Sequence, residues 1–422
     1  MKSSPAVVPS TLRRTMLARS TAAALLMAVT GAAIAQNSPP PATPTTSPAA
    51  STQPPSTEAV MAKAGPQMQA VLDQLAELGA EPIASLTPEQ ARQQPSPADA
   101  VKALIESRGE TATPEAVGEV RNLTFPGPAS TVPVRIYWPE RAAAAAGTDA
   151  TGASESATTA RPNAIADADG QPLPVIHYIH GGGWVIADLD TYDASARALA
   201  NKADAIVVST HYRQGPEDMF PAAHEDSLAA YQWILDNAES FGGDPERIAV
   251  VGESAGGNLA ANIAIAARDN GWQEPLHQVL VYPIASNDMN SESYVENANA
   301  KPLGKEAMQW FVEHYFESPQ QTADPRIALA KRDDLAGLAP ATIILAQIDP
   351  LRSDGRAYAE ALRAAGVPVT LEVYDGVTHE FFGMAAVVDK AEQAQQLAGE
   401  QLREAFGQPR SETARSGGGG TR

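Results

Sequence analysis

From residue 174 onward the chain repeats one pattern, a short apolar run followed by a segment of helical period, and few folds accommodate it. Residues 175–179, 206–209, 248–251, 279–282, 342–346 and 369–373 are short, mainly apolar runs that read as buried strands. Between them, residues 195–203, 222–237, 255–268, 305–316, 354–365 and 389–406 carry apolar residues at three- and four-residue spacing. Strand and helix in alternation predict an α/β fold with a mostly parallel central sheet and helices on both faces. Upstream, residues 132–138 alternate and contain Pro133 before Pro139, which predicts an edge strand.

Chemistry enters at two of the strand ends. The run 248–251 leads into Gly252-Glu253-Ser254-Ala255-Gly256 and then a small-residue helix, so Ser254 falls at a tight strand-to-helix turn that exposes a nucleophile. The run 175–179 leads into His180-Gly181-Gly182-Gly183-Trp184. Glycines there let backbone N–H groups converge on a developing oxyanion without side chains in the way. Gly182 and Gly183, with Ala255 after the serine, are the candidate donors, while Gly181 and His180 shape and brace the loop. The run lacks the spacing and the Lys-Ser/Thr of a phosphate loop.

A serine elbow of this kind orders its partners Ser, then Asp or Glu, then His. Only His277, His314 and His379 follow Ser254. His277 leaves no room for an intervening strand and acid, and His314 lies in a helical segment, so His379, after the last apolar run, is the candidate base. Asp349, after the run 342–346, is the candidate acid. Asp354 and Asp375 compete for that role but read as a helix N-terminal and a turn residue. His224-Glu225-Asp226 lacks the HExxH spacing of a zinc site, and neither a metal nor another cofactor is expected.

These motifs, with Tyr212-Arg213, Pro216-Glu217, Phe220-Pro221-Ala222-Ala223, Tyr282-Pro283, Asp349-Pro350-Leu351-Arg352 and His379-Glu380-Phe381, resemble the hormone-sensitive-lipase-like carboxylesterases of the α/β-hydrolase fold. The resemblance covers roughly residues 118–405. Glu253 stands where Asp is commoner, Gln214-Gly215 replaces Leu-Ala, Ser353 replaces an acid and Glu380 replaces Gly. By position the resemblance implies a helical lid from residues 65–110 and 286–316. Residues 65–78 fit that part: Met68, Val71, Leu72, Leu75 and Leu78 form one apolar stripe, which either covers the pocket or packs on the core. Trp184, Trp310, Phe311 and Tyr315 are candidate pocket walls.

The remainder concerns compartment and partners. A formal net charge of -20 and the absence of a concentrated basic patch argue against nucleic acid. Lys2, Arg13, Arg14 and Arg19 precede an apolar run over residues 22–34 that ends in small residues, the pattern of a cleaved export signal over residues 1–35. It is short for a membrane span, so no stable membrane anchor is expected after cleavage, and the protein would be periplasmic or extracellular. The chain has no cysteine, which excludes disulfides and thiolate metal sites. Residues 36–64 read as a Pro/Ser/Thr-rich linker, 65–407 as the hydrolase domain, 141–171 as a disordered insertion and 408–422 as a disordered tail. The expected function is an exported serine carboxylesterase acting on small-molecule esters of short to medium chain through an acyl-enzyme. The alternatives are an amidase, peptidase or lactamase on the same residues, or a non-catalytic binding protein of this fold. A homodimer stays open.

Overall fold

In the computed structural model, residues 62–141 and 171–407 are described. The leader, most of the linker, the insertion and the tail lie outside them. Eight strands, β1 (Glu119–Pro126), β2 (Thr131–Trp138), β3 (Leu173–Ile179), β4 (Ile206–Thr210), β5 (Gly243–Glu253), β6 (Gln278–Val281), β7 (Ala341–Ile348) and β8 (Val369–Thr378), form one sheet in the order β1-β2-β4-β3-β5-β6-β7-β8. β2 runs antiparallel to β1 and β4, and every other neighbouring pair is parallel. The segment 132–138 is therefore not an edge. β1 covers it, because Gly127 closes a hairpin with Ser130, and Pro133, without an N–H, still accepts at its carbonyl from His211.

Period-two alternation along the buried strands sorts the core into two layers. Val175, Ile179, Val208, Ile248, Val250 and Leu345 point to one face, against α5 (Ala222–Asn237), α6 (Ala255–Asn270) and α9 (Arg352–Ala364). Ile176, Tyr178, Val207, Ala249, Val251 and Ile344 point to the other, against α4 (Asp193–Ala203) and α10 (Asp389–Ala405). The edge strands show the converse. β1 and β8 expose alternate residues, whereas β3 and β4 expose none.

The N-terminal segment is built from local signals. α1 (Pro66–Glu77), α2 (Pro88–Arg92) and α3 (Pro97–Ser107) each begin with proline at the first turn, where its missing N–H costs nothing. Thr87 with Gln90, and Ser96 with Asp99, close reciprocal capping boxes. The α1 stripe divides: Met68 and Val71 are buried in the α4/α10 layer, while Leu72 and Leu75 face a cavity above the sheet and Leu78 is exposed. Two further helices, α7 (Glu292–Glu296) and α8 (Lys305–Tyr315), follow β6. Trp310 of α8 donates its indole N–H to the Leu86 carbonyl at 2.9 Å, joining this segment to the N-terminal one. Among the described residues no helix is long and apolar enough to cross a membrane.

Candidate active site

Ser254 sits between β5 and α6 with φ 56 and ψ -117, a left-handed conformation strained for any residue but glycine. The turn closes because its neighbours lack side chains. A Cβ on Gly252 would stand 2.1 Å from the Gly256 carbonyl oxygen, and one on Gly256 would stand 2.0 Å from that of Ile179. A serine at a helix N-cap ordinarily turns its hydroxyl back onto the helix. Ser254 makes no such bond, and its Oγ lies 3.0 Å from His379 Nε2.

His379 directly follows β8, which runs on to Thr378 where the sequence pattern suggested a loop after Val373. Its other ring nitrogen, Nδ1, is 2.7 Å from Asp349 Oδ2. Asp349 directly follows β7, is fully buried, and takes the Leu351 N–H on Oδ1 at 2.8 Å. The sheet thus brings Ser254, His379 and Asp349 into one hydrogen-bonded line. The two competing acids and two other histidines lie outside it. Asp354 is buried in the first turn of α9, accepting from the Ala285 and Ser286 N–H groups, and Asp375 lies exposed in β8. His277 is 2.8 Å from Thr342 Oγ1, and His314 Nδ1 is 2.8 Å from the Trp310 carbonyl. His224 is buried against Asn258, and Asp226 pairs with Arg213.

The glycine loop lies over the serine. Gly182 and Gly183 take φ 91 and φ 57 and line the same cavity as Ser254, while Ala255 is buried behind it. Among the described residues no loop or turn bond takes up the N–H of Gly182, Gly183 or Ala255, and a helix's first N–H groups have no partner within the helix. The Gly182 carbonyl accepts from Val185 and Ile186. Beneath the loop, His180 is fully buried, with Nδ1 2.9 Å from the Gly181 carbonyl and Nε2 3.0 Å from His211 Nδ1. Burial, with His211 beside it, pulls the His180 ring down to about 3, so it is neutral and braces the loop. Tyr212 stacks on it at 4.4 Å and donates to the Gly181 carbonyl.

Arg92, Glu253 and Tyr192 hold the surroundings. Arg92 of α2 donates to the Val185 and Gly215 carbonyls and pairs with Glu217, clamping the N-terminal segment to the glycine loop. Glu253 is fully buried and receives the hydroxyls of Tyr178 and Tyr282. Burial, then Glu380, pushes its carboxyl up to about 7. Tyr192 donates to Glu380. For His379, burial favours the neutral ring, but Asp349, Glu380 and Glu253 together outweigh it and raise its pKa above the ordinary histidine value. Of these, Tyr282 stood in the Tyr282-Pro283 motif and the two glutamates stood out as departures from a pattern, whereas no local motif marks Arg92, Tyr178 or Tyr192.

The serine opens onto a cavity of about 440 Å³ lined by Leu72, Leu75 and Ile83 on one side and by Leu303, Met308 and Phe311 on another. Of the four aromatic residues expected as pocket walls, only Phe311 lines it. Trp184, Trp310 and Tyr315 do not. The cause is helical phase: Ala307, Met308 and Phe311 share one face of α8 at i, i+1 and i+4, whereas Trp310 is turned about 100° from Phe311 toward Leu86. Trp184 and Tyr315 stack on each other at 4.8 Å in the core.

A sequence profile described as alpha/beta hydrolase fold matches residues 176–383. The carboxylesterase NlhH of Mycobacterium tuberculosis is 40% identical over 284 residues, 67% of this chain and 80% of that protein. The ethyl acetate hydrolase of Pseudomonas putida is 36% identical over 230 residues, 54% of this chain and 72% of its own length. Among solved structures, an ester hydrolase from the metagenome of Lake Arreo superposes with a TM-score of 0.68 at 36% identity, covering 82% of this chain and 99% of that one. The chain belongs to the α/β-hydrolase superfamily, within its hormone-sensitive-lipase-like carboxylesterases, and is a carboxylic ester hydrolase.

Proposed function

We propose that the chain is an exported serine carboxylesterase that cleaves short- to medium-chain esters through an acyl-enzyme, with Ser254 as nucleophile, His379 as base and Asp349 as its orienting acid. The observation that carries this reading is the unbroken line from Ser254 Oγ to His379 Nε2 at 3.0 Å and from Nδ1 to Asp349 at 2.7 Å, opening onto an apolar cavity. Asp349 fixes the tautomer with Nδ1–H, leaving the Nε2 lone pair for the serine proton. Oγ then bonds to the ester carbonyl carbon, and the carbonyl oxygen takes the electron pair opposite the N–H groups of Gly182, Gly183 and Ala255. Collapse breaks the bond to the alcohol oxygen, which leaves with the proton from His379 Nε2. Water, deprotonated by the same nitrogen, repeats the sequence on the acyl-enzyme and releases the acid.

A cavity of about 440 Å³ lies toward the small end of ligand pockets, which supports short to medium acyl groups, as does the likeness to an ethyl acetate hydrolase. The basic cluster and apolar run ahead of residue 36 support export. The test is hydrolysis of p-nitrophenyl esters of two to sixteen carbons by wild type and Ser254→Ala, with matched amides alongside. The reading expects turnover greatest below about ten carbons and abolished in the variant. Turnover retained by Ser254→Ala, or faster cleavage of the amides, overturns it. Mass analysis of the protein from the periplasmic or culture fraction tests export, with a mature chain starting near residue 36 as the expected result.

A further inference from the structure

Glu380 occupies a position the motif ordinarily gives to glycine, and its backbone explains why glycine is the easier choice. It takes φ 71, a left-handed conformation that disfavours any residue with a Cβ. The Tyr192 hydroxyl lies 2.8 Å from each carboxylate oxygen and holds the side chain at the cavity wall. There Oε1 stands 3.7 Å from His379 Nε2, the nitrogen that also meets Ser254 Oγ at 3.0 Å. Asp349 holds the opposite nitrogen at 2.7 Å. The imidazole is thus bracketed, one carboxylate facing each ring nitrogen.

We infer that Glu380 is a second acidic partner of His379, a positioning residue that competes with Ser254 for the proton on Nε2 and so sets how far activity survives into acid. This rests on the reading of His379 as base. Once protonated, the ring can point its Nε2–H at Glu380 instead of at the serine or the leaving oxygen. The resulting ion pair stabilises the charged ring, and the enzyme stays switched off until higher pH than a lone Asp partner would require. The groups that face the ring are Asp349 after β7, Glu253 and Ser254 at the end of β5, the Tyr282 ring at 4.4 Å and Glu380 itself, with Tyr178 and Tyr192 behind the two glutamates. Within this set Glu253 is tied to two tyrosine hydroxyls, and only Glu380 lies beside Nε2 on the cavity side. The raised His379 pKa has the sign this arrangement requires.

The test is the pH profile of kcat/KM on p-nitrophenyl butyrate for the full chain as wild type, Glu380→Gln, Glu380→Asp and Glu380→Gly. Glutamine keeps the shape and a Tyr192 partner but not the charge. Glycine relieves the left-handed backbone and covers the case in which the glutamine variant fails to fold. In both, the fraction of plateau activity kept one pH unit below the wild-type midpoint should rise at least about threefold, with the aspartate variant nearer wild type. An acid limb unchanged in both neutral variants, or a parallel loss at every pH, overturns the inference and leaves Glu380 as packing. Ser254→Ala in the same series separates the two readings. Its retained turnover sinks the serine mechanism, whereas its inactivity beside an unmoved acid limb sinks only the role of Glu380.

Discussion

Asp349→Asn isolates the contribution of one buried carboxylate, because both of its oxygens have assigned partners. Oδ1 takes the Leu351 N–H at 2.8 Å and Oδ2 faces His379 Nδ1 at 2.7 Å. An asparagine cannot serve both. If its oxygen stays on Leu351, its NH₂ faces Nδ1, which must then accept, and the ring proton moves to Nε2 where the serine needs a base. If the amide turns over, two N–H groups oppose each other in the interior, at a cost of roughly 1–3 kcal/mol. That preference leaves the working tautomer about 5- to 150-fold depleted. Loss of the ionic hydrogen bond to the imidazolium removes roughly a further 3 kcal/mol, or about a hundredfold. Together kcat should fall about a thousand- to ten-thousandfold, while KM changes little because Asp349 is fully buried and outside the cavity lining. Steady-state hydrolysis of p-nitrophenyl butyrate reads both constants, with Asp354→Asn as control: that carboxylate takes the Ala285 and Ser286 N–H groups and does not meet His379, so kcat should stay within about threefold. An Asp349→Asn enzyme keeping more than about a tenth of wild-type kcat would refute the tautomer argument.

Two further expectations follow from the buried surroundings. Glu253 holds its proton more tightly folded, up to about 7, than unfolded, so its burial lowers stability as pH rises from near 4.5 through about 7 and by a constant amount above that. Glu253→Gln should therefore raise stability, and with it Tm, relative to wild type more at pH 8 than at pH 5, the stability increment being on the order of 3 kcal/mol at most. An equal Tm difference at both pH values would contradict it. Gly183→Ala puts a Cβ 2.2 Å from Phe311 Cδ1 at φ 57. It should lower kcat about a hundredfold by shifting the loop N–H groups and cost roughly 1–3 kcal/mol of stability. The double variant with Phe311→Ala should be no less stable than Phe311→Ala alone by more than about 1 kcal/mol, and a larger gap would place the strain elsewhere.

What could be read from the amino-acid order is what chain direction and period fix. Ser254, Asp349 and His379 each stand directly after a strand, and strands of a parallel sheet end on one side, so order alone brought them near each other. The helices ran as their periods indicated, within a few residues. Reading failed where position depends on partners. β1 was missed because Glu119, Arg121, Asn122 and Thr124 give it no apolar run. Without β1, Pro133 made its neighbour look like an edge. Trp310 and Phe311 are adjacent in sequence, and only the phase of α8 against Leu86 decides which lines the cavity. Glu253 and Glu380 were conspicuous as departures, but their meeting around Tyr178, Tyr192 and Tyr282 joins five separate stretches of chain.

Covalent labelling tests, without reference to any substrate, whether Ser254 is a nucleophile made reactive by His379. Wild type and His379→Ala would be incubated with a p-nitrophenyl alkylphosphonate, followed by intact mass and peptide mapping. One adduct per wild-type chain is expected, on the peptide bearing Ser254, with labelling slowed at least about a thousandfold in His379→Ala. An adduct on another residue, or labelling of Ser254 at the same rate without His379, would contradict it.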